Sequence, residues 1–324
     1  MTAQERIATL STSMWTLAAL AASVESGLVA ALGEPREVGE LAERTGLPVA
    51  VAAGLVDVLA TMDFAERIGE HWVAGAELEP VMREPRLGVL RDDLRTTLLQ
   101  GLALFTSARV EPHALGGWRH TDEDLVQAQG RVSATVIPML ANVLFPHVPG
   151  LLDRLEGGSG AFLDVGAGVA AVSIAMCRQY PALRAVGLEP ASAPLALARR
   201  NVAAAGLEDR VELRAQRVEE LGDEEAFDVV WLPASFLPAD AVAIALTTVH
   251  RALRPGGLLL TGALDGSGAD GEAAVTRLRL ALWGGGNLAL AELVAMIEAA
   301  GYVDVTAISR ESSRLVPVHA RRPG

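Results

Sequence analysis

At 324 residues, 51% of them hydrophobic, the chain is long enough to bury two cores, and its formal charge of −13 argues against broad binding to a phosphate backbone, so nucleic acid is not an expected partner. All 27 basic residues are arginine. The lack of lysine excludes Schiff-base and pyridoxal-phosphate chemistry, a phosphate-loop lysine and a lysine general base. The one cysteine, Cys177, falls within a helical pattern and reads as a small buried apolar residue; no internal disulfide and no cysteine metal cluster can form, and no metal is expected.

Residues 7–24 carry no charge. Ile7, Leu10, Met14, Leu17, Ala21, Val24 and Leu28 recur at steps of three and four, which predicts an amphipathic packing helix. Glu5 and Glu25 flank the run, the wrong charge for a targeting signal, so a cytoplasmic protein without a membrane span is expected. From Glu37 to Gly75, helical patterns at Val38 to Thr45 and Val49 to Met62 flank Gly46-Leu47-Pro48, and a two-strand ribbon is expected around Gly69. This is a winged-helix pattern. Its second helix offers Asp57 as its only charged group, unsuited to bases and phosphates, whereas Val51, Leu55, Val58 and Leu59 suit subunit or interdomain packing.

Residues 88–156 read as further helix, broken at Pro112, Gly116-Gly117 and Pro146. His113, Trp118, His120, Met139, Asn142 and His147 are the side chains here that could face a cleft, and no pair has the spacing of a helical zinc site. Gly157-Gly158-Ser159-Gly160 then forms a joint. The expected division is 1–85 winged-helix-like, 86–157 helical linker and substrate-pocket region, and 158–324 sheet domain.

Beyond the joint, strand patterns at Ala161 to Val165, Arg184 to Leu188, Val211 to Arg214, Phe227 to Leu232 and Leu258 to Leu264 alternate with helical stretches such as Pro194 to Ala205 and Ala239 to Leu253. Ala289 to Ala300 is helical, and Tyr302 to Ile308 and Leu315 to Ala320 are the last strands. The fold class is α/β: a doubly wound, mostly parallel, seven-stranded Rossmann-like sheet with an N-terminal, mainly helical winged-helix domain. Ligand is expected at the carboxyl ends of the strands. There Gly166-Ala167-Gly168 lets the backbone approach a ligand, and Asp164 and Glu189 stand at two strand ends.

Four segments carry a resemblance: LDVGAGVA, VGLEP, DVVWLP and ALRPGGLLL, in that order. With them, residues 160–322 resemble a class I S-adenosylmethionine-dependent methyltransferase, and residues 10–80 resemble the winged-helix dimerisation domain of its small-molecule O-methyltransferase branch. The resemblance implies S-adenosyl-L-methionine as cofactor, a small-molecule methyl acceptor (oxygen, nitrogen or carbon), a homodimer, and a role in bacterial secondary metabolism. Gly166 and Gly168 would admit the amino-acid portion of the cofactor, supported by Asp164. Glu189, followed by Pro190, would take the ribose hydroxyls. Gln216, Arg217 and Val218 would flank the adenine, and Leu232 with Pro233 would lie near the methyl group. Met139, Asn142, Trp231 and Trp283 are the expected acceptor-side residues.

Three departures stand out. Ala170 replaces the usual third glycine, Arg217 stands where an acid often meets the adenine, and no histidine lies between Pro255 and Val318, where the plant-like relatives place a base. His250, Asp265 and His319 are weak substitutes, so no catalytic base is named. Two alternatives stay open: an NAD(P)-dependent oxidoreductase, since Gly166 to Ala171 fits a dinucleotide turn and Glu189 follows Gly168 by 21 residues, and a noncatalytic binding or regulatory protein that keeps the fold.

Overall fold

The computed structural model describes residues 1–286, 288–308 and 314–324. It divides into two compact units, Met1–Ala103 and Leu104–Gly324. The first unit holds helices α1 (Ala3–Glu25), α2 (Leu28–Ala31), α3 (Val38–Thr45) and α4 (Val49–Ala60), then the hairpin β1 (Ala65–Ile68) and β2 (His71–Ala74). Gly46, left-handed at φ 70°, ends α3 and turns the chain into α4, and Arg36 bridges to Trp72 beside the hairpin. Leu20, Val24, Leu28, Leu41, Val56, Leu59 and Trp72 share its core.

Helix α1 starts with a capping box in which Thr2 accepts from the Glu5 N–H and the Glu5 carboxylate accepts from the Thr2 N–H. The apolar stripe read from the sequence buries only its C-terminal half within this unit. Ala21 and Val24 are buried, whereas Ile7, Leu10 and Met14 are 67, 70 and 60% exposed, and Leu28 starts the next helix. Among the described residues, α1 is the one helix long and apolar enough to cross a membrane.

The boundary between the units falls within α5 (Arg86–Val110). The second unit continues with α6 (Glu123–Ala134), α7 (Val136–Val143), α8 (Leu151–Glu156), β3 (Ala161–Val165), α9 (Ala171–Gln179), β4 (Arg184–Leu188), α10 (Ser192–Ala204), β5 (Val211–Arg214) and β6 (Phe227–Trp231). After these come α11 (Ala239–Ala252), β7 (Leu253–Leu264), α12 (Gly271–Trp283), α13 (Leu290–Ala299), β8 (Val303–Ala307) and β9 (Leu315–Arg321).

The seven strands lie in the order β5-β4-β3-β6-β7-β9-β8. All neighbours are parallel except β9, which is antiparallel to both β7 and β8. Strand alternation builds two cores on opposite faces. Phe162, Val229 and Leu258 pack with Ile137, Leu151, Met176, Cys177 and Ala198, while Leu163, Val230 and Leu259 pack with Val242, Leu246, Val249, Leu293 and Ile297. Each such fully buried large side chain contributes roughly 1.5–3 kcal/mol. Chain order reverses between β3 and β6, so the crevice opens at their carboxyl ends.

Asp228 on β6 ties down the opposite end of the sheet. It is fully buried, accepts from the Ala161 N–H at 2.9 Å and from Arg254 Nη1 at 2.5 Å, and has Arg154 Nε 3.2 Å from its other oxygen. Removing a partner leaves part of a buried charge uncompensated. Arg254→Met is therefore expected to lower stability by about 3 kcal/mol in chemical denaturation, whereas Arg321→Met, which breaks the exposed pair with Asp304, is expected to cost less than about 1 kcal/mol.

Candidate functional site

The turn between β3 and α9 must pass from an extended strand into a helix within a few residues. It does so with three left-handed positions, Gly166 at φ 66°, Gly168 at 56° and Ala170 at 62°. Glycine adopts this conformation freely, whereas Ala170 bears a steric cost there, and its methyl group is fully buried in the core below. The Ala167 N–H donates to the Leu188 carbonyl, so the turn is seated on the end of β4.

The two strand-end carboxylates hold this turn in shape. Glu189 accepts from the Gly168 N–H at 2.9 Å and from the Ala191 N–H at 2.8 Å, one through each oxygen. Asp164, 1% exposed, accepts from the Ser173 N–H at 3.1 Å and its hydroxyl at 2.7 Å, in the first turn of α9. Burial raises the Asp164 pKa to about 7, against the lowering effect of the Ser173 bonds, and the nearby Glu189 adds to the rise. Burial also raises Glu189, opposed by the Ala191 and Gly168 N–H groups.

A cavity of about 660 Å³ opens over the turn. Asp164, Gly166, Gly168, Glu189, Pro190, Gln216, Arg217, Val218 and Trp231 all line it, together with Pro233. Four other expected residues do not reach its wall. Leu232 is fully buried in the core, because its N–H joins Leu260 in the sheet ladder and its side chain falls on the α11 face. Met139 packs onto the α7–α9 core, Asn142 sits on the exposed face of α7, and Trp283 lies behind Phe236, stacked on it at 4.9 Å. Away from the cavity, Asp265 is an exposed turn residue accepting from the Ser267 N–H, His250 packs edge-on to Tyr302 and His319 lies within β9.

Other lining residues gave little signal in the sequence: Gln129 and Ser133 on α6, and Phe236, Leu237 and Pro238 after β6. The one clue was Gly130 inside an otherwise regular helix. A Cβ there would lie 2.3 Å from Val169 Cγ2, so the glycine lets α6 press against the turn. Asn201 on α10 completes the clamp. Its amide exchanges two hydrogen bonds with Gln127 of α6, at 3.0 and 3.1 Å, and donates to the Val169 carbonyl at 2.9 Å.

The cavity suits S-adenosylmethionine. Open space lies beyond Gly166 and Gly168, since a Cβ at either would meet nothing closer than 3.9 Å. Each Glu189 oxygen has one protein donor and keeps a lone pair for a ribose hydroxyl. Residues 162–257 match the model of a methyltransferase domain. This segment is a methyltransferase domain.

The chain is similar in sequence to the release factor glutamine methyltransferase of Cereibacter sphaeroides, 29% identical over 190 residues, or 55% of this chain and 66% of that protein. The chain thus spans just under two thirds of that relative. Over its whole length it is similar in fold to an O-methyltransferase family protein from Burkholderia thailandensis, with TM-score 0.68, 17% identity and coverage of 100% and 99% of the two chains. It is also similar to the mitomycin 7-O-methyltransferase MmcR, with TM-score 0.64, 22% identity and coverage of 99% and 98%. The S-adenosylhomocysteine-bound methyltransferase CalO1 of calicheamicin biosynthesis gives 0.59, 20% and full coverage of both chains. The fold is that of class I S-adenosylmethionine-dependent methyltransferases with an N-terminal helical domain. The antiparallel β9 between β7 and β8 departs from the all-parallel dinucleotide fold.

Two outcomes are expected from the methyltransferase domain. Because the folded-state pKa of Asp164 lies above its ordinary 3.8, its proton stabilises the fold below about pH 4, and that stability is lost as pH rises through about 7. Thermal unfolding without cofactor should find Asp164→Asn gaining on the wild type across that window, by on the order of 4 kcal/mol at the top. Gly130→Ala should push Val169 and weaken cofactor binding about 10-fold in calorimetry, despite a helix-propensity gain of up to roughly 1 kcal/mol. Adding Val169→Ala should restore affinity.

Proposed function

We propose that this protein transfers a methyl group from S-adenosyl-L-methionine to a small-molecule acceptor, in bacterial secondary metabolism. The observation that carries this reading is a single cavity lined both by the left-handed glycine turn with Glu189 and by Trp118, His120, Phe236 and Trp231. When bound, the cofactor supplies an electrophilic methyl group on a sulfonium sulfur. Gly166 and Gly168 give its amino-acid portion room, Glu189 accepts from its ribose, and Gln216, Arg217 and Val218 border the adenine. The apolar and aromatic lining excludes water and holds the acceptor in line, a contribution that rests on proximity and desolvation.

In this reading, the helical region before the sheet, 86–157, supplies acceptor selection through Trp118, His120, Gln129 and Ser133. The N-terminal unit serves as a homodimer interface in a cytoplasmic enzyme, a role supported by the exposed Ile7, Leu10 and Met14 on α1.

Calorimetry with S-adenosylmethionine and with NAD tests the cofactor assignment. Binding of the sulfonium and none of NAD is expected; the reverse would return the domain to the dinucleotide alternative. Glu189→Gln is expected to weaken S-adenosylmethionine binding about 10- to 100-fold, the cost of one or two charge-assisted hydrogen bonds, while leaving the circular dichroism unchanged.

A further inference from the structure

The chain has six histidines. Among the described residues, His120 alone of these lines the cavity. His71 belongs to the N-terminal hairpin, His113 is exposed, His147 Nδ1 lies 3.0 Å from the Val143 carbonyl, and His250 and His319 are occupied elsewhere in the sheet domain. The carboxylates of the cavity are also committed. Asp164 is bound to Ser173, Glu189 to two backbone N–H groups, and Glu219 to Arg217 at 3.6 Å on the rim expected for adenine.

His120 is held by an aromatic cluster. Its ring meets Trp118 edge-on at 4.7 Å, Trp118 meets Phe236 edge-on at 5.0 Å, and Phe236 stacks on Trp283 at 4.9 Å. Close backbone approaches bring the three segments together. A Cβ at Gly284 would lie 3.0 Å from Gly117 Cα, and one at Gly285 would lie 2.1 Å from the Ser235 carbonyl oxygen. Thus the segment carrying His120 is docked against both the end of β6 and the end of α12. Among the described residues, neither ring nitrogen of His120 has a hydrogen-bond partner.

We propose that His120 is the proton acceptor of the transfer reaction, taking the proton of a hydroxyl acceptor held against the Trp118–Phe236 wall. The proposal rests on the methyltransferase reading above. The acceptor oxygen's lone pair forms the new bond to the methyl carbon as the carbon–sulfur bond breaks with its pair left on sulfur. The acceptor's O–H bond breaks at the same site and its proton passes to an imidazole nitrogen, so the positive charge lost at sulfur reappears as imidazolium and then leaves to solvent. The charged groups around the cavity are Asp122 and Arg119 on the histidine's own segment, Asp164 and Glu189 at the strand ends, and Arg217 and Glu219 on the rim; Arg279 lies over the outer face of Trp283. Burial lowers the pKa of His120, with Asp122 opposing, which favours the neutral, proton-accepting imidazole near neutral pH.

The test compares wild type with His120→Gln, using S-adenosylmethionine and two acceptor probes, phenol and 4-nitrophenol, at about pH 8.5, where phenol keeps its proton and 4-nitrophenol has lost it. The variant is expected to lose about 100-fold in kcat/KM with phenol and less than about 3-fold with 4-nitrophenol, and to lose the acidic limb of the wild-type pH profile with phenol. Imidazole NMR of the full chain loaded with S-adenosylhomocysteine supplies a readout independent of turnover. The signal missing from the variant should titrate below an ordinary histidine and shift when 4-nitrophenol is added. Equal losses with both phenols, an unchanged pH limb, or no methyl transfer to either phenol by wild type overturns the proposal. Calorimetry keeps the two readings apart: unaltered S-adenosylmethionine binding in both proteins leaves the cofactor assignment standing, and no binding in wild type removes it.

Discussion

Everything in the sheet domain is arranged around a chain reversal that a right-handed backbone resists. Between β3 and α9, three left-handed residues in five positions, Gly166, Gly168 and Ala170, turn the chain, and open space lies over the two glycines. The turn would have no reason to hold this shape alone. Glu189 grips it through the Gly168 N–H, Asp164 grips the start of the following helix through Ser173, and the Leu188 carbonyl takes the Ala167 N–H. Parallel pairing of β3 with β4 in register, Asp164 opposite Gly187 and Val165 opposite Leu188, is what places these acceptors within reach.

Helix α6 joins the two sides of the cavity. It presses on Val169 through Gly130, exchanges amide hydrogen bonds with Asn201, and turns Gln129 and Ser133 toward the space above. A helix that normally penalises glycine accepts one here because a methyl group would collide with the turn. Trp118 and Phe236 also line the cavity, and Trp283 backs Phe236 from behind, so three distant stretches of sequence form one aromatic cluster.

The strand-end side of the cavity was legible in the sequence because its signals are local. A strand pattern, a glycine turn and an acid at the next strand's end specify both the conformation and the direction in which it faces. Asp164, Gly166, Gly168, Glu189, Pro190, Gln216, Arg217 and Val218 therefore all border the cavity. Leu232 shows the limit of that logic: one residue past a strand, the period of two still holds, and its side chain turns into the core while its neighbours Trp231 and Pro233 face the cavity. The helical region offered no comparable rule. Met139 and Asn142 are three apart on α7, yet the helix lays the first against the core and the second toward solvent, and which helical face meets the cavity depends on contacts far away in sequence. In the N-terminal unit, likewise, the period of α1 correctly announced a helix but could not say that Ile7, Leu10 and Met14 would be left uncovered.

The buried carboxylate of Asp164 carries one more implication. With a pKa near 7 and a position on the cavity wall, it is partly protonated at neutral pH in the free protein. A cation entering that cavity favours the ionised carboxylate, so capture of a positively charged ligand expels a fraction of a proton into the medium. Ligand affinity and local acidity are then two faces of one equilibrium: the protein holds a sulfonium more weakly as its surroundings acidify, and the heat of capture depends on the buffer that takes up the proton.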